Sequence, residues 1–246
     1  MAVSSHGIVS VWDNEEFTLI YRENIHENST IQGIKALNDM IITGDVDGSI
    51  NAFRVSENEV KHVLNIEEEK NPINHLDFDG KWILTGSRNT LKIWNLFDDK
   101  DWSKTLKSGY ICCCCLSYPL AASSGVRLNK GVKIWDLRKG TLLIAVLEHY
   151  FFWSLDLRGN YLAAAMSSNN QKNPKIHLID LRKVTKEESF LRSFPCEDRA
   201  TILNPHICMN TSKIIEAHGN IVRLQEFWNY QVSDWDCSTF LRDIKV

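Results

Sequence analysis

The sequence lacks any apolar run approaching the roughly 20 residues of a membrane-spanning helix, and its opening residues carry no basic-then-apolar leader. It also lacks a charge excess. The 28 basic residues stand against 31 acidic ones, so a net of −3 gives no electrostatic reason to expect nucleic acid or an anionic membrane as partner. Seven cysteines, an odd number with four adjacent, do not make a disulfide framework. No long stretch keeps a 3.6-residue apolar period, which argues against an α-rich fold. The 43% hydrophobic and 24% charged content excludes disorder and coiled coil. These absences leave a soluble, reduced, intracellular protein as the expectation, placed in the cytoplasm with access to the nucleus. A chain of this length can bury a large core without disulfides or metals.

What is present is a repeat. IVSVWD, SINAFR, TLKIWN and GVKIWD carry aromatic residues at Trp12, Phe53, Trp94 and Trp135, each 41 residues after the last. Two weaker copies follow: KIHLID, with Ile179 in the aromatic slot, and IVRLQE, with Phe227 or Trp228 at its end. Upstream of each segment lies a short strand-like run ending in small polar residues, such as MIITGDVDG and WILTGSRN. Short mixed apolar stretches precede these runs, and others follow each aromatic segment. Four short strands per ~40 residues, ending on an aromatic–Asp pair, is the spacing of a propeller blade.

This pattern resembles the WD-repeat family over essentially the whole chain. The resemblance implies an all-β fold: one WD-repeat β-propeller domain spanning residues 1–246, with about six recognisable blades. Met1 falls inside the second strand of the first blade, so that blade is incomplete at the N-terminus. The chain then reads as a piece of a seven-bladed ring, or as a ring whose tail, YQVSDWDCSTFLRDIKV, returns to close the first blade. In the family a Trp, a Ser or Thr, an Asp and a His form a buried hydrogen-bonded tetrad. By resemblance the second blade supplies His26, Thr43 and Asp47 but has Phe53 in place of Trp. The third offers Thr85 and Trp94, with Asn89 where Asp is expected. The fourth offers Ser123 and Trp135. No blade has all four, so stability must rest on apolar packing between sheets.

Catalytic and metal-binding patterns are sparse. Neither G-x-S-x-G nor H-E-x-x-H occurs. The string Gly125 to Gly131, GVRLNKG, is one residue too long for a phosphate loop and precedes a strand. Along a strand, Cys112 and Cys114 point away from Cys113 and Cys115, so the four cannot surround one ion; packing of an inner strand is the better reading. Asp77 and Asp156 lie on inner strands, as the acids of a channel-based propeller enzyme would, but two acids in different blades are too few for that chemistry. No catalytic residue, cofactor, metal or small-molecule substrate is expected.

The remaining candidates are interaction residues. Trp135-Asp136-Leu137-Arg138, echoed by Ile179-Asp180-Leu181-Arg182, is similar to the W-D-x-R box of WD-repeat substrate receptors of cullin-type ubiquitin ligases. That resemblance implies that Arg138 and Arg182 project from the bottom face into a cullin adaptor. The opposite face is expected to carry Arg88, Arg127, Lys130, His149, Tyr150, Phe151 and Arg199, residue types suited to a substrate peptide or a partner protein. The function expected is a non-enzymatic protein–protein scaffold, with a ligase substrate-recognition subunit as its specialisation. A subunit that folds only inside a larger complex is the alternative, and a propeller enzyme the more distant one.

Overall fold

A computed structural model describes residues 2–226 and 242–245, apart from 6, 14, 17, 27–28, 57–58, 68–70, 98–102, 126–130, 149, 167–174, 184–189, 196–205, 210–212 and 219–220. The described residues form six antiparallel sheets and one 3₁₀ turn at Leu181–Lys183. The first sheet has three strands, β1 (Ala2–Ser5), β2 (Ile8–Trp12) and β3 (Leu19–Asn24). Each later sheet has four in chain order. The second contains β4 (Ile31–Leu37), β5 (Met40–Asp45), β6 (Ile50–Val55) and β7 (Val60–Ile66). The third contains β8 (His75–Phe78), β9 (Trp82–Gly86), β10 (Thr90–Asn95) and β11 (Ser103–Lys107). The fourth contains β12 (Ile111–Ser117), β13 (Leu120–Gly125), β14 (Val132–Asp136) and β15 (Thr141–Val146). The fifth contains β16 (Phe152–Arg158), β17 (Tyr161–Met166), β18 (Lys175–Asp180) and β19 (Phe190–Pro195). The sixth contains β20 (His206–Met209), β21 (Lys213–His218), β22 (Ile221–Glu226) and β23 (Arg242–Lys245).

The first strands of the four-stranded sheets, β4, β8, β12, β16 and β20, pack against one another in succession, which makes them the inner strands. The core is correspondingly divided into slabs between neighbouring sheets. Val9, Val11, Ile41 and Phe53 fill the first gap; Ile42, Leu76 and Trp94 the second; Leu84, Ile111 and Trp135 the third; Cys115, Ile134 and Phe152 the fourth; Ala163, Ile176 and Ile207 the fifth. Phe53, Trp94 and Trp135, 41 residues apart, are thus equivalent side chains that fill three successive slabs. Close packing is visible at Gly33 and Gly44, which pair across β4 and β5; a Cβ on either would sit 2.9 Å from the Leu76 side chain. The cysteine run follows strand alternation. Cys113 and Cys115 join the slab toward the fifth sheet, and Cys114 joins the one toward the third.

Two expectations change. The described part of the tail, β23, pairs with β22 as the outer strand of the sixth sheet, and no strand pairing joins the first and sixth sheets among the described residues; residues 230–241 of the tail lie outside them. Among the described residues the first sheet has three strands, β1, β2 and β3. In the second blade the acid beside His26 is Asp45, not Asp47. Asp45 ends β5, so its carboxylate turns back into the sheet, while Asp47 lies exposed in the following turn.

Four of the six outer strands share one irregularity. Ile20, Val63, Leu143 and Leu191 each bulge from the outer strand of their sheet at the same register position. Bulges of this kind blunt edge strands against pairing with other chains.

Candidate functional site

Two faces and a central channel follow from this topology. At one end, here the lower face, the turn between third and fourth strands is stitched to the turn between first and second. Val55 N–H donates to Asp39 C=O, Leu96 to Lys81, Leu137 to Pro119 and Leu181 to Asn160. The crossovers between sheets and the turns between second and third strands form the upper face.

The channel wall is built by side chains that reach from one inner strand to the backbone of the next. An inner strand has a neighbour on only one side, so the N–H groups on its other edge need acceptors. His75 and Asp77 of β8, and Asp79 just after it, accept from the N–H groups of Cys114 (3.4 Å), Leu116 (2.8 Å) and Tyr118 (3.3 Å). Both rows advance by two, so every step of the β8–β12 contact carries one bond. On β16, Ser154 and Asp156 accept in the same way from Ile207 (3.1 Å) and Met209 (2.6 Å). Asp77 also pairs with Lys35 of β4 at 2.7 Å, and Asp156 lies 3.4 Å from Arg158. Burial pushes the Asp156 carboxyl above its ordinary range, outweighing the Met209 N–H and the Arg158 charge. The two channel acids are therefore committed to backbone donors and cations that tie the sheets together. Burial likewise pushes the Cys113, Cys114 and Cys115 thiols up, which keeps them protonated and unreactive.

Tetrad geometry is partial in each sheet. In the second, His26 Nδ1 lies 2.7 Å from Asp45 Oδ2, and its Nε2 lies 2.8 Å from Thr43 Oγ1. The buried ring of Phe53 fills the aromatic place and meets His62 edge-on at 5.1 Å. In the third and fourth sheets the indoles of Trp94 and Trp135 donate to Thr85 (3.3 Å) and Ser123 (3.0 Å). These groups are buried and serve the sheets.

On the lower face the two Asp–Leu–Arg strings occupy equivalent turns of neighbouring sheets, but their arginines differ. Asp136 is buried and accepts the N–H groups of Arg138 (2.9 Å) and Lys139 (3.2 Å). The Arg138 side chain is 64% exposed and meets Asp136 only at 3.6 Å. Arg182 is clamped instead. Its Nε and NH2 donate to the two oxygens of buried Asp180 at 2.9 and 2.7 Å, and it also bonds to the Tyr161 hydroxyl and lies over that ring. The Asp180 hydrogen bonds raise the Arg182 pKa further. The cause is one substitution in register: Tyr161 stands opposite Asp180 where Leu120 stands opposite Asp136. Sequence similarity between the two strings cannot show this.

The structure adds lower-face residues that the motif reading missed. Trp82 stacks on Tyr118 at 4.9 Å, Lys81 lies over Trp82 at 5.4 Å, and Phe97 is 56% exposed. Lys104, from the outer strand of the third sheet, donates to the Arg138 carbonyl at 3.2 Å. This bond joins the third sheet to the Arg138 turn. The available signal was the placement of Trp82, Tyr118 and Phe97 beside turns, which strand periodicity alone does not weigh.

Of the expected upper-face residues, Arg88 is exposed in the turn between β9 and β10. Tyr150 and Phe151 are half-buried; the Tyr150 carbonyl accepts from Gly131, and the ring packs against the slab between the fourth and fifth sheets. Arg127, Lys130, His149 and Arg199 lie outside the described residues. A more regular feature is the bulge near the upper end of three inner strands, which leaves Gln32, Cys112 and Trp153 unpaired at one level. Trp153 is 39% exposed there, and Tyr110 of the preceding crossover is 41% exposed.

Comparison with known proteins agrees with this architecture. Residues 60–95 match the family model described as WD domain, G-beta repeat. The match runs from the outer strand of the second sheet through the third strand of the third, so the repeat unit bridges two sheets. A chain in a crystal structure of the mitotic checkpoint complex superposes with a TM-score of 0.75 at 15% identity, covering 92% of this chain and 70% of that one. The fold is a β-propeller. The computationally designed Ika8 protein is also similar, with a TM-score of 0.66 at 15% identity, covering 93% of this chain and 68% of that one. No curated protein matches the chain. In all, 1148 solved chains match, and at 15% identity the two described show the fold alone, so function has to be argued from the surfaces.

A buried histidine gives the propeller a measurable pH response. His177 lies among Met166, Tyr150 and Phe152, and burial, helped by Lys175, pushes its pKa down to about 4. The unfolded chain takes up this proton near pH ~6.5, whereas the native state does not. Stability from His177 is therefore complete above about pH 6.5 and declines as pH falls toward 4. Urea midpoints at pH 7.5, 5.5 and 4.5 should fall less steeply for His177→Leu than for the wild type. Parallel curves would show that His177 takes up its proton without loss of packing.

Proposed function

We propose that the propeller is a non-enzymatic scaffold that docks a partner protein through its lower face, as a substrate receptor docks on the adaptor of a cullin-type ubiquitin ligase. Its upper face then receives the protein to be recruited. One observation carries the reading: Arg138 is braced at its backbone by Asp136, yet its guanidinium extends from the surface, beside a turn bonded to Lys104. An arginine positioned in this way suits a bidentate carboxylate or carbonyl on a partner. Lys81, Trp82, Tyr118 and Phe97 supply aromatic and cationic residues of the kind enriched at binding hot spots. Arg182 braces the neighbouring turn and is not the anchor in this reading. Asp77 and Asp156, the strongest candidates for channel chemistry, are engaged in holding sheets together, which favours a scaffold over an enzyme.

Affinity capture with the tagged chain tests the proposal. Arg138→Ala should reduce recovery of the lower-face partner by roughly 30-fold, the loss of a hot spot of about 2 kcal/mol. It should leave the melting temperature unchanged. Arg182→Ala should lower stability more than it lowers capture. Equal recovery with Arg138→Ala would contradict docking at this turn, and failure of a cullin adaptor to appear among the partners would remove the ligase specialisation.

A further inference from the structure

The arginines at the lower end of the sheets differ in whether their charge is met. Arg54 pairs with Asp39 at 3.2 Å, Arg158 lies 3.4 Å from Asp156 and donates to the Met209 carbonyl, and Arg182 is held by both oxygens of Asp180. Arg138 is the exception. The Asp136 oxygen 3.6 Å from it already accepts the N–H groups of Arg138 and Lys139, and Asp136 is buried while the guanidinium is exposed. Three lysines stand at the same pair of turns. Lys81 lies over the Trp82 ring, Lys139 is exposed beside Arg138, and Lys104 donates to the Arg138 carbonyl. The Lys104 stem crosses Gly140, where a Cβ would come within 2.1 Å of Cε, so glycine keeps this path open. The acid of the third sheet's turn, Asp79, faces inward as Asp136 does, accepting the N–H groups of Lys81, Trp82 and Tyr118. Among the described residues no carboxylate reaches Lys81, Lys104 or Lys139. In a chain of net charge −3 these turns are a local excess of positive charge, because their own acids are spent on backbone donors.

We infer that the turns of the third and fourth sheets bind an acidic segment of a partner protein, with carboxylates flanking an apolar side chain. The inference rests on docking at the Arg138 turn and names the chemistry of what docks there. Contacts give the order of groups across the surface. Lys81 lies over Trp82, Trp82 stacks on Tyr118 at 4.9 Å, and the carbonyl of Pro119, next to Tyr118, accepts the Leu137 N–H, with Arg138 following. Cations thus stand at both ends of an aromatic pair. One carboxylate of the partner meets the Arg138 guanidinium in a bidentate pair, a second meets Lys81, and the apolar side chain between them lies on the exposed Tyr118 ring. A nucleic acid fits less well, since a phosphate backbone needs a basic stripe and the other lower-end arginines are already neutralised.

A dye-labelled peptide repeating Glu-Glu-Leu, with a Gln-Gln-Leu counterpart, is a suitable probe, and fluorescence anisotropy on the whole chain reads its binding. The Glu peptide should bind at least roughly tenfold more tightly than the Gln peptide at about 50 mM salt, and lose most of that advantage at about 300 mM. Arg138→Ala should weaken it by roughly tenfold and Lys81→Ala by roughly threefold, at unchanged melting temperature, whereas Arg54→Ala, whose charge Asp39 already meets, should leave it unchanged. Equal binding of the two peptides, absence of binding, or indifference to Arg138→Ala would overturn the inference. So would equally tight binding of single-stranded oligothymidine, which would make the surface a general polyanion site. Binding that appears only after Asp98, Asp99 and Asp101 are changed to Asn would also overturn it, by assigning the surface to that neighbouring segment of the chain itself. Loss of a captured partner with Arg138→Ala, but no preference for the Glu peptide, would leave docking at this turn in place and remove only its acidic partner.

Discussion

Replacing Asp77 with alanine is expected to destabilise the propeller by about 2–3 kcal/mol, the cost of leaving a buried N–H without its acceptor, since Lys35 is a third exposed and can be hydrated. Three connections end on this carboxylate. One oxygen pairs with Lys35 at 2.7 Å and accepts the Phe78 N–H at 2.9 Å, while the other accepts the Leu116 N–H at 2.8 Å. Together they join the inner strands of the second, third and fourth sheets. Alanine leaves the Leu116 N–H without its acceptor and Lys35 without its anion. Asp77→Asn should recover part of the loss, since its carbonyl oxygen can still accept from Leu116. Denaturant titration of the three proteins measures the series. A loss below about 1 kcal/mol for Asp77→Ala, the value of an ordinary net hydrogen bond, would show that the inner ladder does not hold the sheets.

The second large effect is expected at Trp135. The ring is buried in the slab shared by the third and fourth sheets, against Ile111, Cys114 and Leu137, and its N–H donates to Ser123 at 3.0 Å. Trp135→Ala removes both packing and bond and should cost about 3–5 kcal/mol. Trp135→Phe separates the two. Phe53 already occupies the equivalent place in the second sheet with no indole to donate, and it is fully buried there. Phenylalanine at 135 should therefore retain most of the stability, losing the Ser123 bond and part of the ring volume. A phenylalanine variant as unstable as the alanine one would assign the main role to the hydrogen bond.

These two residues also show how far the sequence could be read. Trp135 was legible because the second, third and fourth blades repeat the same contact through Phe53, Trp94 and Trp135, and a fixed spacing of 41 residues exposes it in one dimension. The role of Asp77 was not, because the Leu116 N–H that donates to it lies 39 residues away in another sheet. Which backbone N–H it meets depends on how two inner strands are offset across the channel, a relation no local pattern encodes. Asp45 and Asp47 illustrate a finer limit. Both flank the same turn, and only the direction of the last β5 side chain decides that Asp45 meets His26. The lower-face strings show the same limit at the candidate site. Arg138 and Arg182 follow the same Asp–Leu pair, but Tyr161, 21 residues upstream, clamps one of them. The use of β23 in the sixth sheet was not readable from the alignment of repeats.

The division of labour that emerges is geometric. Slabs of aliphatic and aromatic side chains hold the sheets, a ladder of acceptors lines the axis, and turns at either end carry the groups left for partners. Rigid sheets fix the separation between Arg138 and the aromatic group around Trp82, so a partner meets them as one surface.

The most direct test of this surface is quantitative affinity capture by the wild type, Arg138→Ala and Arg182→Ala, with melting temperature measured on the same preparations. A partner lost with Arg138→Ala at unchanged melting temperature, and retained with Arg182→Ala, is the predicted result. Undiminished capture by Arg138→Ala would contradict it, as would loss of the partner only where the fold is also lost.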